Sequence, residues 1–332
     1  MNEALYSGRI CRPKIKFNSI MKKALYIIGG LLLLIIIAQL SQFHADIPLD
    51  ELKPAYAPAP SKFMMMDGAT VHYRDEGNGY PVVLIHGMSS SLHTWQGWTD
   101  IMSKQYRVIR MDLPGFGLTG PTTDNVYTIP YYESFIARFL DSLGVKECYM
   151  VGNSLGGLIT WNYALHHPRQ VQKIILLDAA GYPMKKPPFV LGLAQNKLMS
   201  TTMRYITPRF IVSKSMEQVY GDASKVTDSV TERYFKLALR EGNRAAFISF
   251  AEGANLRHMD TLGIQQIKTP TLIEWGEKDS WIPVEAAAKF KRDIKGSQLI
   301  TYPGVGHIPM EEIPVQSCKD AMRFLHGPEY GF

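Results

Sequence analysis

Cysteine is scarce. The 332 residues contain three, Cys11, Cys148 and Cys318, with no C-x-x-C spacing between them. A disulfide framework and a zinc cluster are therefore excluded as the basis of the fold, and a chain this long can bury enough core to need neither. There is no P-loop, no dinucleotide fingerprint and no metal-ligand spacing, so no cofactor is expected. Low-complexity tracts and internal repeats are also missing. Excess charge is nearly absent once the tail is set aside. Residues 1–23 hold six Lys or Arg against Glu3 and account for five of the six net positive charges. The remaining chain is almost neutral, which removes a nucleic-acid-binding field from consideration. With 46% hydrophobic and 20% charged residues, the composition is that of a globular protein.

Long apolar runs are missing too, with one exception. Ala24–Ala38 carries no charge, and with Gln39 and Leu40 the stretch is 17 residues long. As a helix it would extend about 25 Å, slightly less than a hydrocarbon core of about 30 Å. Lys22 and Lys23 would reach the headgroups and close part of the gap. The basic N-side and the acidic C-side, with Asp46, Asp50 and Glu51, predict a single-pass anchor over 24–40. Residues 1–23 are then a cytoplasmic tail, and the body lies outside the cytoplasm, in the periplasm of a bacterium. The competing expectation is a signal peptide cleaved on secretion, although Phe43-His44-Ala45 is a poor cleavage site. A second start at Met21 also fits the pattern. Residues 41–61 read as a linker, stiffened by the Pro/Ala-rich 54–60.

From residue 62 onward, strand and helix signals alternate. Lys62–Met66 and Ala69–Arg74 predict an antiparallel start, broken at Asp67-Gly68. Continuous apolar runs at 81–85, 106–111, 148–151, 171–177, 271–275 and 298–302 predict strands buried on both faces. Helical patterns separate them at 93–103, 131–142, 154–166, 284–293 and 311–324. This predicts an α/β fold with a mostly parallel sheet and helices on both faces. The core would comprise 62–182 and 243–332. Residues 183–242 break the alternation and read as a helical lid, rich in Phe189, Leu191, Met199, Met203, Ile211 and Met216.

The strongest local signal is Gly152-Asn153-Ser154-Leu155-Gly156, between an apolar strand and a helix. A sharp strand-to-helix turn needs small residues two positions either side of the serine, whose hydroxyl then stands at a helix N-terminus. Other turns follow other strands in order: His86-Gly87-Met88, Asp112-Leu113-Pro114-Gly115-Phe116-Gly117, Trp275-Gly276-Glu277-Lys278-Asp279 and Gly304-Val305-Gly306-His307.

On these motifs, residues 62–326 resemble the α/β-hydrolase superfamily, and the chain is similar to membrane-anchored serine lipase/esterases and monoacylglycerol lipases. The resemblance implies Ser154 as nucleophile, His307 as general base and Asp279 as the acid that orients it. The backbone N–H groups of Met88 and Leu155 would form the oxyanion hole. Asp178, ending a strand, is the alternative acid. Asp112 is expected to be structural and His86 a packed residue of the oxyanion loop. His166 and His167 close a helix, and His93 and His258 are expected at the surface rather than in the pocket.

The expected activity is hydrolysis of esters with lipophilic acyl chains, small molecules being the partner beside the bilayer. Carbon–carbon bond hydrolases often share the G-N-S-x-G-G elbow. This chain lacks their Gly/Pro-rich run after His-Gly and the Trp after the base, since Met88-Ser89-Ser90-Ser91 and His307-Ile308-Pro309 stand there. Amidases or aminopeptidases, and a catalytically silent binding protein, are the remaining alternatives.

Overall fold

In a computed structural model, residues 19–40, 44–184, 186–254, 259 and 261–327 are described, without the side chains of 20, 25 and 32–40. The predicted tail to residue 18, Cys11 and His258 lie outside the described residues. The chain divides into two units, Met1–Phe43 and His44–Phe332. In the first, helix α1 runs Ser19–Leu40, 22 residues, about 33 Å at the α-helical rise. Among the described residues, no helix is long and apolar enough to cross a membrane. The leucines and isoleucines at 32–37, which carry most of the apolar run, are among the side chains outside that description.

The second unit is built on an eight-stranded sheet. Helix α2 (Leu49–Tyr56) precedes β1 (Lys62–Met66), β2 (Ala69–Glu76) and β3 (Tyr80–Ile85). Then come α3 (Gln96–Met102), β4 (Tyr106–Met111), α4 (Ile129–Ser142), β5 (Cys148–Asn153), α5 (Leu155–His166) and β6 (Val171–Leu177). Helices α6 (Phe189–Gln195), α7 (Lys197–Met203), α8 (Arg209–Val219), α9 (Asp228–Ala238) and α10 (Asn243–Gly253) follow without a strand. The chain ends with β7 (Thr271–Gly276), α11 (Glu285–Asp293), β8 (Gln298–Tyr302), α12 (Pro309–Glu312) and α13 (Pro314–His326).

The strand order is β1-β2-β4-β3-β5-β6-β7-β8. β1 and β2 pair antiparallel around the Asp67-Gly68 turn, as do β2 and β4, and every other pairing is parallel. The apolar run of β3 is continuous because both its faces are buried. Successive side chains point to opposite faces of a strand. Val83 and Ile85 accordingly join Phe135, Ile159 and Phe290 in one core. Val82 and Leu84 join Trp98, Cys318 and Met322 in the other.

The linker expected over 41–61 is different. From His44 on, it is bound to the body. Leu52 is buried with Leu118 and Leu237, and Ile47 exchanges backbone hydrogen bonds with Leu239 and Glu241. Leu49, Leu52 and Tyr56 recur at helical spacing, so 49–56 forms an amphipathic helix despite Pro54.

Candidate active site

Parallel strands that all point one way deliver their C-terminal turns to one edge, and sites in open α/β sheets lie there. The turn after β3 presents Met88, that after β5 Ser154, that after β6 Asp178, that after β7 Asp279 and that after β8 His307.

The turn at Ser154 is sharp. Its backbone has φ 55°, ψ −115°, a conformation rarely held by a residue with a side chain. A methyl group added at Gly152 would collide with the Gly156 carbonyl, and one at Gly156 with the Ile85 carbonyl. Both positions therefore exclude side chains for close backbone approach. The strain is held from both sides. Ser154 N–H donates to Leu177 O at 3.0 Å, and Ser154 O accepts from Leu158 N and Ala180 N at 3.0 Å. Asn153 Nδ2 donates to His307 O at 2.9 Å, tying the serine turn to the histidine turn.

His307 is buried, and its Nδ1 lies 2.6 Å from Asp279 Oδ2. The other carboxylate oxygen, Oδ1, accepts from Trp281 N at 2.8 Å and Ile282 N at 3.0 Å. These bonds fix the carboxylate plane and leave the ring to turn its other nitrogen outward. His307 Nε2 is buried with no hydrogen-bond partner. It shares a cavity wall with Ser154.

The rival acid, Asp178, is close by, one side-chain oxygen of each of Asp178 and Asp279 lying within 4.8 Å of the other and of a His307 ring nitrogen. It does not hold the histidine. It is fully buried, and its Oδ1 accepts from Gly276 N at 3.0 Å. Burial, followed by the charge of Asp279, pushes its carboxyl well above the usual range. The Asp178–Asp279–His307 cluster is also where a metal would be sought. Its donor set fits poorly, since both Asp279 oxygens and His307 Nδ1 are engaged within the protein.

The structure also places the other predicted residues. His86 is buried. Its Nε2 accepts from Leu113 N at 2.9 Å, which makes Nδ1 the donor to Gly87 O at 2.7 Å. It packs the loop that carries Met88, and burial lowers its pKa. Asp112 accepts from Leu92 N and Leu118 N, both at 2.7 Å, and pairs with His72 at 2.8 Å. Burial works against that charge, but the surrounding histidines, His72 first and then His93 and His86, together outweigh it and hold the carboxyl far below its usual range. His93 is not at the surface. It is mostly buried, its Nε2 sits 2.7 Å from Tyr56 O, and burial lowers its pKa to about 4. The reason is the docking of α2 onto it.

Several residues escaped the sequence reading. Glu312 uses one carboxylate to accept from Gly306 N at 2.8 Å, Gly221 N at 2.9 Å and Asp222 N at 3.0 Å. It clamps the backbone directly before His307. Glu311 pairs with Arg233 at 2.7 Å and accepts from Tyr234 at 2.7 Å and Tyr220 at 3.1 Å. That network joins α8 and α9 to α12. Trp281 packs its ring 5.4 Å from that of His307. Only its position two residues after Asp279 was visible in the sequence.

Two cavities open at the serine. One, about 170 Å³, lies beneath α6, α8 and α9 and is lined by Val190, Met203, Ile211, Met216, His307 and Ile308, among others. The second, about 360 Å³, lies between α5, α6 and α10, with Leu155, Leu158, Leu191, Phe250 and Ala254 in its wall. Met88, Ser154 and Trp281 belong to both. Of the apolar residues between 183 and 242, Phe189, Leu198, Tyr205 and Phe210 face solvent.

Residues 80–314 match the family described as the alpha/beta hydrolase fold. The chain belongs to that family, and it is a hydrolase. Among its relatives is a 2-hydroxy-6-oxo-2,4-heptadienoate hydrolase of Pseudomonas putida, 29% identical over 254 residues, which are 74% of this chain and 89% of that one. A similar solved structure is a meta-cleavage product hydrolase from Pseudomonas fluorescens, with a TM-score of 0.71 and 24% identity over 80% of this chain and 97% of the other. Another is a membrane phospholipase A described as a bacterial virulence factor. Its TM-score is 0.70 at 22% identity, over 93% of this chain and all of the other. At these identities the two structures speak for the fold. The names of the first two point away from the carboxylic esters expected from the sequence.

Proposed function

We propose that the protein is a serine hydrolase of lipophilic carboxylic esters, working through an acyl-enzyme on Ser154. The supporting observation is the pair of apolar cavities meeting at that serine. Among their described lining residues Arg244 is the sole Lys or Arg; Asp46 pairs with its Nη2, while its Nη1 is buried without a hydrogen-bond partner. An apolar ester loses water on both sides, and Asp46 already balances the charge of that one cation. The exposed Phe189, Leu198, Tyr205 and Phe210 fit an encounter with lipid.

In this reading His307 Nε2 takes the Ser154 proton as Oγ attacks the ester carbonyl. Asp279 keeps the proton on Nδ1 and stabilises the imidazolium that forms. Trp281, ring against ring, adds to that stabilisation. The N–H groups of Met88 and Leu155 receive the oxyanion, each worth about 3 kcal/mol in the transition state. The alcohol leaves with the proton from His307. Water, activated by the same histidine, then releases the acid.

The proposal extends to location. The uncharged run in α1, its lysine flank and the basic tail support a single-pass anchor with the body outside the cytoplasm. Resistance of the full chain to carbonate extraction, with protease accessibility from the periplasmic side, is the expected outcome. Extraction into the soluble fraction would refute it.

A second reading, hydrolysis of a carbon–carbon bond in a dienoate acid, is favoured by the names of the relatives and by the Gly152–Gly157 elbow. One panel separates the two. Detergent-solubilised full chain is given p-nitrophenyl esters from acetate to palmitate and 2-hydroxy-6-oxo-dienoate acids, with Ser154→Ala as control. Turnover of medium or long esters, lost in the variant, supports the ester reading. Turnover of the dienoates alone replaces it.

A further inference from the structure

The two cavities at Ser154 differ in one chemically decisive respect. His307 and Ile308 line the first, beneath α8 and α9, and are absent from the wall of the second. Leu155, whose N–H would face the oxyanion, lines the second and not the first. Acyl transfer has a fixed handedness about its carbon. The leaving oxygen must sit where the histidine can protonate it, and the acyl chain departs on the other side.

We propose that the first cavity, of about 170 Å³, holds the leaving alcohol and the second, of about 360 Å³, holds the acyl chain. The assignment rests on the ester-hydrolase reading and deepens it. Both walls are mostly apolar, with Arg244, Asn243 and a few other polar side chains as exceptions, so both arms of the substrate are lipophilic. That describes an ester with a long acyl chain and a bulky apolar alcohol moiety, as in a glycerolipid with more than one chain, rather than an ester of a small hydrophilic alcohol. The wall of the second cavity is made by α5, Leu191 of α6 and the end of α10 at Phe250, whereas α8 and α9 line the first, which α6 and α10 also reach through Val190 and Phe247. Length discrimination is therefore carried by residues that line one cavity and not the other, and single substitutions there should separate the two sides.

Two matched substitutions test this. Ala254 lines only the second cavity and Ala238 only the first, and both are partly exposed, so a larger side chain has room to adjust. Wild type, Ala254→Phe and Ala238→Phe are assayed as full chains. One substrate series is p-nitrophenyl esters of increasing acyl length. The other is alkyl butyrates of increasing alcohol length, followed by acid release. Ala254→Phe is expected to lower the ratio of kcat/KM for ten-carbon over four-carbon chains at least tenfold in the acyl series, and less than twofold in the alcohol series. Ala238→Phe is expected to do the reverse. An exchanged pattern, equal loss in both series, or no change in either ratio would overturn the assignment.

A second measurement does not depend on the substitutions. A decyl fluorophosphonate loses fluoride as Ser154 Oγ bonds to phosphorus, and its decyl arm marks the acyl position. A crystal structure of that adduct should show the arm along Leu158 and Phe250. An arm along Ile211 and Met216 refutes the assignment. If wild type hydrolyses no ester of either series, the ester reading falls, and the adduct still decides which cavity lies on the acyl side.

Discussion

Glu312 offers a sharp test, because one buried carboxylate there holds three backbone N–H groups from two loops. Oε2 serves Gly306 and Gly221, and Oε1 serves Asp222. Glu312→Gln keeps the shape but replaces one oxygen by an amide donor. In the better of its two orientations the carbonyl still accepts from Gly306 and Gly221, and the amide faces the Asp222 N–H. One bond to a charged acceptor is lost, at about 1.5–3 kcal/mol, and the two that remain become bonds to a neutral acceptor. The expected loss of stability is about 2–4 kcal/mol, read from urea denaturation. Gly306 is the residue before His307, so the turn carrying the imidazole loosens. A shift of about 1 Å there costs on the order of a hundredfold in rate. Glu312 is a positioning residue, and the loss should fall on kcat with KM little changed. Glu312→Ala should cost more on both counts, since it strands all three donors. If Glu312→Gln is within 0.5 kcal/mol of wild type, the clamp is not what holds the turn. If stability falls but kcat is unchanged, the clamp does not position His307.

Three further outcomes follow from the same structure. Burial raises the Asp178 pKa, so above the ordinary carboxylate value folding takes up a proton there, and wild type loses stability as pH rises through that range, at up to about 1.4 kcal/mol per pH unit. Asp178→Asn removes that slope, so its melting temperature should gain on wild type as pH rises from the ordinary carboxylate value, and a constant difference would contradict the raised pKa. Glu311→Ala leaves Arg233 without its carboxylate and should cost about 3 kcal/mol, the low end for a buried pair because a fifth of the Arg233 side chain is exposed; hydrogen exchange should rise first in α8 and α9, and uniform loosening would refute the network's role there. Leu52→Ala should cost about 2–3 kcal/mol in thermal or urea unfolding by opening the α2 contact with Leu118 and Leu237, and no change would mean that α2 is only loosely held.

The residues of the site were legible in the sequence where local geometry forces composition. A sharp turn at Ser154 admits only glycine at 152 and 156, so the motif and the strain share one cause. The strands at 106–111, 171–177 and 298–302 were legible to the residue, because β-branched and other apolar residues dominate them even where Arg107, Arg110, Gln172 or Lys173 interrupts the run. The pairing of Asp279 rather than Asp178 with His307 required the structure to decide it. Both end neighbouring strands, and only the three-dimensional arrangement puts one against the ring and buries the other, which raises its pKa. Contacts between distant segments left no local mark. Glu311 and Glu312 read as the start of a helix, although they bind residues some 80 to 90 positions away. The stripe of Leu49, Leu52 and Tyr56 was hidden by the prolines around it, so a docked helix read as a spacer.

The central claim, an acyl-enzyme on Ser154, is tested most directly by intact-protein mass spectrometry of the full chain quenched in acid during turnover of a p-nitrophenyl ester. The account predicts a mass increase equal to the acyl group, mapped to the peptide carrying Ser154 and absent in Ser154→Ala. Turnover with no adduct at Ser154, or an adduct that persists in the alanine variant, would contradict it.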